Sequence, residues 1–371
     1  MKIIRVKCLQ VFLLISTWLL TACQTANVAS GASTSPEPIE VKVVVVTMFE
    51  LGEDTGDKPG EFQFWKERQA LNTRFAFPHS HHDIYMNTET GVMGIVTGMG
   101  TAKSTAAIMA LGLDSRFDFT NSYWLVAGIS GFDPNDASLG SGAWARWLVD
   151  GDLAHEIDAR EIPENWTTGY FPLFATEPYA EKPGIHQGDS AHKSNNGEVY
   201  QLNTELTQWA YDLTKDVELM DTPGIQQKRQ RYKNYPNAQR PPFILIGDQV
   251  AAMTYWHGKL MNDWANEWTD YWTDGEGEFV SSAMEDTGIY LSLQYLTQAG
   301  KAQVDRLMVL RTASNFTMPE DGVSAADNNA QESGGYTGMI PSLETAYRAG
   351  SAVVDYLVDN WSSVAAKMPY E

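Results

Sequence analysis

The chain has 371 residues and a formal net charge of −21, from 26 Lys and Arg against 47 Asp and Glu. That balance argues against nucleic acid or an anionic membrane as a partner of the folded surface and favours neutral or cationic ones. Its two cysteines, Cys8 and Cys23, both lie near the N-terminus, so disulfide scaffolds, Cys-based metal sites and thiol catalysis drop out of the body.

Lys2, Arg5 and Lys7 precede an apolar run from Val11 to Leu20, and Leu20-Thr21-Ala22-Cys23 follows directly. This reads as a secretory signal. The run is shorter than the roughly 20 residues that a comfortable membrane span needs. Its end resembles the lipobox of bacterial lipoproteins. The resemblance implies that residues 1–22 are removed and that Cys23 is acylated and anchors the body to a membrane, with Gln24 favouring the outer membrane and a body facing the periplasm. Residues 23–40 are small, polar and proline-containing, a flexible tether. The remainder, 41–371, reads as one α/β domain.

Val41 to Met48 is a continuous β-branched run, the pattern of a strand buried on both faces. Phe49-Glu50-Leu51-Gly52-Glu53-Asp54 follows, where acids either enter a site or solvate a loop. A helix is predicted over Phe62 to Leu71. Next come His79, His81, His82 and Asp83, which invite a metal hypothesis. Adjacent side chains diverge and no distant partner has metal-ligand spacing, so the expectation is a polar loop without metal, one histidine reaching a ligand or a second subunit of a homo-oligomer.

Gly91 to Gly131 carries a βαβ pattern: a strand over Val92 to Thr97, a glycine turn at Gly98-Met99-Gly100, a helix over Thr101 to Leu113, and a strand over Tyr123 to Ala127. A second glycine turn is predicted at Gly128-Ile129-Ser130-Gly131. Ligands of open α/β sheets sit beyond the carboxyl ends of strands, and glycine lets them approach the backbone. The two turns are therefore expected to face one pocket, bringing Gly98, Gly128, Ser130 and Gly131 to it; ordinary short connections are the competing reading.

Ser141 to Val149 reads as a strand, and 151–240 as a loop-rich excursion punctuated by Pro163, Pro172, Pro178 and Pro183, with a helical segment over Asn203 to Leu213. Pro242 to Ile246 gives a short strand. Tyr255-Trp256-His257-Gly258 and Trp264, Trp268 and Trp272 form an aromatic patch that packs or stacks on a planar ligand. Phe279 to Asp286 leads into a helix reaching Gln298, with Ile289, Leu293 and Leu296 at helical spacing. Arg306 to Arg311 is a buried strand ending on Thr312-Ala313-Ser314-Asn315-Phe316, and Leu343 to Trp361 a closing amphipathic helix. The sum is an α/β fold: a single large three-layer domain whose central, mostly parallel mixed sheet is flanked by helices.

Taken in order, the acids after the first strand, GIVTGMGTAKSTAAIMAL, WLVAGISG, a Met-Glu before a helix and a late strand ending in Ser-Asn resemble the nucleoside phosphorylase/nucleosidase fold. More closely, His81-His82-Asp83, YWHG at 255–258, the Glu285-Asp286 helix and VLRTASNF at 309–316 resemble the purine nucleoside permease family, from Val41 to Trp361. The resemblance implies that Met284 packs on the sugar, that Glu285 accepts the ribose 2′- and 3′-hydroxyls and that Asn315 contacts N7 of the purine. It brings Ser314, Phe316, Trp256 and His257 to the substrate as well. Several phosphorylases hold phosphate with an arginine where this chain has Val126, so water is favoured as the acceptor, positioned by Glu50 or Glu53. Glu50, Glu285 and Asn315 are thus the candidate catalytic residues, with purine nucleosides as partners and no cofactor. Cleaving an N-glycosidic bond develops positive charge on the sugar and negative charge on the base, which a carboxylate below one and a donor at the other stabilise. The expected function is nucleosidase chemistry linked to uptake; the alternative is a non-catalytic nucleoside-binding component of transport.

Overall fold

The run of β-branched residues after the tether forms β1, Val43–Thr47, and every one of its side chains is buried, as a strand without a polar face requires. The computed structural model describes residues 37–173, 175–180, 198–332 and 334–371, so Cys23 and the expected signal lie outside the described residues. The central sheet continues along the chain with β2 Thr73–Phe75, β3 Ile84–Asn87, β4 Val92–Val96, β5 Tyr123–Phe132, β6 Gly142–Trp144 and β7 Trp147–Asp150. It is completed by β8 Val199–Gln201, β9 Ile244–Ile246, β10 Asp248–Ala251, β11 Phe279–Ala283 and β12 Leu307–Phe316. Its heart is parallel: β1 lies between β4 and β5, and β12 runs beside β5. Antiparallel pairings, such as β3 with β4 and β8 with β7, extend its margins, so the sheet is mixed.

Alternation along the strands sorts the core into two faces. Val44, Val46, Trp124 and Val126 pack under the helices Thr101–Gly112 and Asp286–Gln298. Val43, Val45, Tyr123 and Leu125 pack under the long helix Met339–Asp359, which closes the chain. Helices on both faces of one sheet make the three layers expected.

Three local readings are corrected. Gly128 to Gly131 is no turn: it lies inside β5, because β12 pairs with β5 in parallel as far as Phe316 opposite Phe132, with one register shift between Ala313 and Asn315. Phe279–Ala283 is itself a strand, and the helix after it starts at Asp286, whereas Ser141 to Val149 divides into β6 and β7. The tryptophan patch is one face of a helix, Lys259–Thr273, with Trp264, Trp268 and Trp272 at four-residue spacing, all buried. Within 151–240, β8 joins the sheet margin and Leu206 and Ala210 enter the core, so the described part of the excursion is packed onto the domain.

Candidate functional site

Two strand ends and one irregularity place the site. β1 ends at Thr47 just before Met48, and β5 and β12 continue past it, so their carboxyl-terminal halves form a floor. Between Ala313 and Asn315 the β12 register shifts by a bulge, which turns both Ser314 and Asn315, consecutive residues, toward one cavity. That cavity measures about 460 Å³. Its lower wall holds Glu61, Ile129, Ser130, Glu285 and Arg311, and Met284, Ser314 and Asn315 close one side. Phe49, Leu51, Met99, Tyr255, Tyr336 and Met339 make most of the remainder apolar.

The floor is a buried charge cluster. Arg311 is 2% exposed and its Nη2 donates to Glu285 at 2.9 Å and to Asp286 at 2.7 Å, while Nε donates to Asp286 at 3.2 Å. Burial works against its charge, but Asp286, Glu285 and Glu61 together hold the guanidinium protonated, above its ordinary pKa. Glu285 accepts the backbone N–H of Gly100 at 2.9 Å and that of Met284 at 3.3 Å. With Arg311, three donors therefore occupy a carboxylate that has about four acceptor positions, leaving room for one direct hydroxyl bond where the sequence led us to expect two. Burial raises the Glu285 pKa, with Arg311 opposing.

Glu61 is the acid that sequence reasoning missed. Its Oε2 accepts the N–H of Met48 at 2.7 Å and its Oε1 that of Ile129 at 2.8 Å, tying the end of β1 to β5. Burial pushes its pKa up to about 8, against the pull of Arg311. An added Cβ at Gly128 would lie 2.2 Å from the Met48 Cε, 2.6 Å from Arg311 Nη1 and 2.7 Å from Glu61 Oε1, so this position is glycine to let the three converge. The floor thus gathers one guanidinium among three carboxyl groups, of which burial holds Glu61 mostly protonated at neutral pH.

Opposite the acids, Ser314 Oγ lies 3.1 Å from the Ser130 carbonyl and donates to Asn315 Oδ1 at 2.9 Å. Asn315 Nδ2 donates to the Phe316 carbonyl at 3.2 Å and to Tyr255 Oη at 3.3 Å, so the amide reaches a ligand in the cavity by exchanging its bond to Tyr255. The Ser130 hydroxyl is buried in the wall without a hydrogen-bond partner.

The other expected residues are placed elsewhere. Glu50 is committed to backbone: its carboxylate accepts the N–H groups of Leu51, Gly60, Phe62 and Gln63, capping the helix Gln63–Arg68, and does not line the cavity. Glu53 is exposed on the same loop. Phe316 points away and packs on Tyr232 with ring centroids 4.2 Å apart. Trp256 lines neighbouring space, and His257, its pKa lowered by burial, stands outside the wall. Gly98, with φ +85°, and Gly100, with φ +98°, do form the predicted turn; Met99 between them reaches the cavity and Gly100 reaches Glu285. His82 pairs with Asp54 at 2.6 Å and Asp83 with Arg74, and among the described residues no group of His, Cys, Asp and Glu is arranged to hold a metal. Val126 is buried in the core cluster with Val44, Val46 and Trp124 and does not line the cavity.

This arrangement of a mixed sheet with a parallel heart, a glycine turn feeding the helix Thr101–Gly112 and a Met-Glu before the helix Asp286–Gln298 is a nucleoside phosphorylase/nucleosidase fold. In agreement, the 5′-methylthioadenosine/S-adenosylhomocysteine nucleosidase of Helicobacter pylori superposes with a TM-score of 0.50 at 11% identity, covering 86% of this chain and 99% of that one. Residues 40–369 match the purine nucleoside permease (NUP) family, and the chain belongs to it. A probable purine nucleoside permease of Schizosaccharomyces pombe is 28% identical over 326 residues, 86% of this chain and 90% of the relative. A purine nucleoside permease of Candida albicans is 28% identical over 326 residues, 87% and 76%. No helix among the described residues is long and apolar enough to cross a membrane.

Proposed function

We propose that the cavity binds purine nucleosides and hydrolyses their N-glycosidic bond. The reading is carried by one juxtaposition: a buried Glu61–Arg311–Glu285 floor facing the Asn315 amide across a single cavity. The ribose lies over the floor with one hydroxyl on Glu285, and the base lies against Asn315, whose Nδ2 exchanges its bond to Tyr255 for one to an acceptor on the five-membered ring. As the C1′–N9 bond breaks, the electron pair goes to the base, where Asn315 stabilises it, and the sugar cation forms above the carboxylates. Water adds to C1′ and its proton passes to ionised Glu61, while the departing base anion takes a proton from solvent and Glu61 returns its own to solvent for the next turnover. Water is preferred to phosphate because the cavity's cations are Arg311, already engaged by acids, and Lys58, exposed at the rim. Incubating the protein with adenosine, inosine and guanosine, with and without phosphate, is expected to release free base at a phosphate-independent rate; ribose 1-phosphate as product would replace hydrolysis by phosphorolysis.

The permease relatives favour a second reading, in which the same cavity only binds nucleosides for uptake. Glu285→Gln separates the two. In an enzyme the loss of charge below a cationic sugar lowers turnover by about 10- to 1,000-fold with little change in substrate affinity. In a binder, affinity alone falls, by about tenfold, through one weakened charge-assisted bond. If Glu285→Gln processes and binds ribonucleosides like the parent, the ribose site is misplaced.

The N-terminal sequence supports attachment of this body to a membrane through acylated Cys23, facing the periplasm. Cys23→Ala is expected to release the protein from membranes or to stall its processing. Unchanged fractionation together with an unchanged N-terminal mass would dismiss the anchor.

A further inference from the structure

Both ends of the Asn315 amide are claimed within the protein itself. Its Oδ1 accepts the Ser314 hydroxyl at 2.9 Å, and its Nδ2 donates to the Phe316 carbonyl at 3.2 Å. The carbonyl fixes the orientation, because a carbonyl oxygen only accepts and therefore calls for the NH₂ end of the amide. One of the two N–H groups is thus held internally, and the other meets Tyr255 Oη at 3.3 Å. The phenol oxygen therefore takes the bond that an acceptor on a ligand ring would need.

Tyr255 is placed to give that bond up. It lies on the connection 252–258 between β10 and the helix Lys259–Thr273, which is anchored at both ends. The Ala252 N–H bonds the Ala283 carbonyl at 2.9 Å, the Met253 N–H bonds Asp152 at 2.7 Å, and the Gly258 N–H bonds the Thr317 carbonyl at 2.9 Å. Between those anchors the Tyr255 side chain lines the cavity and is 44% exposed, so its hydroxyl can exchange Asn315 for water. Burial and the neighbouring Tyr336 raise its pKa, so the phenol stays neutral. A neutral phenol oxygen, whose lone pair is drawn into its ring, accepts less strongly than the in-plane lone pair of an imidazole-type nitrogen. Such a nitrogen wins the exchange, and a C–H at the same position does not.

We propose that Tyr255 is a specificity-determining residue that widens the range of rings the cavity holds, by serving as the stand-in acceptor for Asn315. This rests on the reading that places the base against Asn315. A ring with a nitrogen acceptor replaces the phenol oxygen and gains only the difference between two hydrogen bonds. A ring with C–H there leaves Asn315 bonded to Tyr255, so no buried donor is stranded and its penalty does not arise. Deleting the hydroxyl reverses both effects: the nitrogen ring loses its competitor, and the C–H ring strands the Asn315 N–H.

The test uses 9-methyladenine and its 7-deaza analogue, in which C–H replaces N7. The 9-methyl group keeps N7 an acceptor and leaves no glycosidic bond to turn over. Calorimetric titration of the full chain compares the two ligands for the parent, Tyr255→Phe, Asn315→Ala and the double variant. Tyr255→Phe deletes one half-exposed hydroxyl, and melting curves check that every variant is folded. In the parent, 9-methyladenine is expected to bind less than about fivefold more tightly than the analogue, the scale of one net hydrogen bond. Tyr255→Phe should widen that ratio by at least about fivefold, and Asn315→Ala should cancel the widening. A parent ratio of fivefold or more overturns the proposal, as does a ratio that Tyr255→Phe leaves unchanged or narrows. A widening that survives Asn315→Ala also overturns it, because the phenol would then meet the ring directly. If 9-methyladenine does not bind the parent, the base has no place in this cavity and the proposal goes with it. Binding that Asn315→Ala weakens, with a ratio indifferent to Tyr255→Phe, leaves the base site standing and removes Tyr255 alone.

Discussion

Glu61→Gln is expected to lower base release by about 10²- to 10⁴-fold, the usual contribution of a positioned general base, and to abolish the rise of rate with pH. With a pKa of about 8, Glu61 in the parent is mostly protonated at pH 7, so activity should climb as it ionises toward and beyond pH 8. A glutamine has no such transition. The same shift has a consequence for stability whose sign is opposite to that of a salt-bridged acid. Below 4.5, the ordinary glutamate value, both folded and unfolded chains hold the proton; between 4.5 and about 8 only the folded chain does. Where the folded state binds more protons, stability falls as pH rises, so Glu61 contributes a decline across that window and nothing further above it. Rate–pH profiles and urea midpoints from pH 4 to 9 test both halves. A parent rate that is flat through pH 8, or a variant that keeps the parent's turnover, would leave Glu61 with a structural role alone.

Arg311→Met should destabilise the chain by about 3–5 kcal/mol, because it strands Glu285 and Asp286 without their cation in a site nearly closed to water. Against a total stability of about 5–15 kcal/mol, this brings a folded protein close to the threshold. The deficit should shrink toward acid pH, where protonation removes the uncompensated charges, and the sign distinguishes it from simple loss of packing. Urea unfolding at pH 5 and pH 8 makes the comparison. A loss below 1 kcal/mol at pH 8, or one equal at both pH values, would mean that the acids do not depend on this guanidinium.

Much of the frame was legible because burial on both faces leaves a plain mark: Val43–Val46 and Leu307–Leu310 are unbroken apolar runs, and Glu285-Asp286 sits at a strand-to-helix passage. The glycines of β5 misled because glycine signals a turn from local sequence, while its use here is set by Met48, Arg311 and Glu61, which come from three other places in the chain. Glu61 left only a faint trace. It is an acid immediately before Phe62 and Trp65, and an acid amid residues bound for the core must find donors there. Arg311 carried a stronger one: a cation inside a strand buried throughout demands carboxylate partners, and Glu285-Asp286 was the available pair. The surroundings of Glu50 and Glu53 were hidden for a different reason. Proximity to a strand end was visible, but the four amides that claim the Glu50 side chain arise only once residues 50–63 fold back on themselves.

That fold-back ties specificity to chemistry. The Glu61 N–H bonds the Phe49 carbonyl, and Glu50 clasps Gly60, Phe62 and Gln63, so the apolar wall offered by Phe49 and Leu51 and the acid at the floor belong to one clip. Recutting that wall to admit a bulkier ligand would disturb the placement of Glu61 in the same stroke. Ligand range is therefore more freely altered from the opposite bank, at Met99 or Met339, where the backbone owes nothing to that clip.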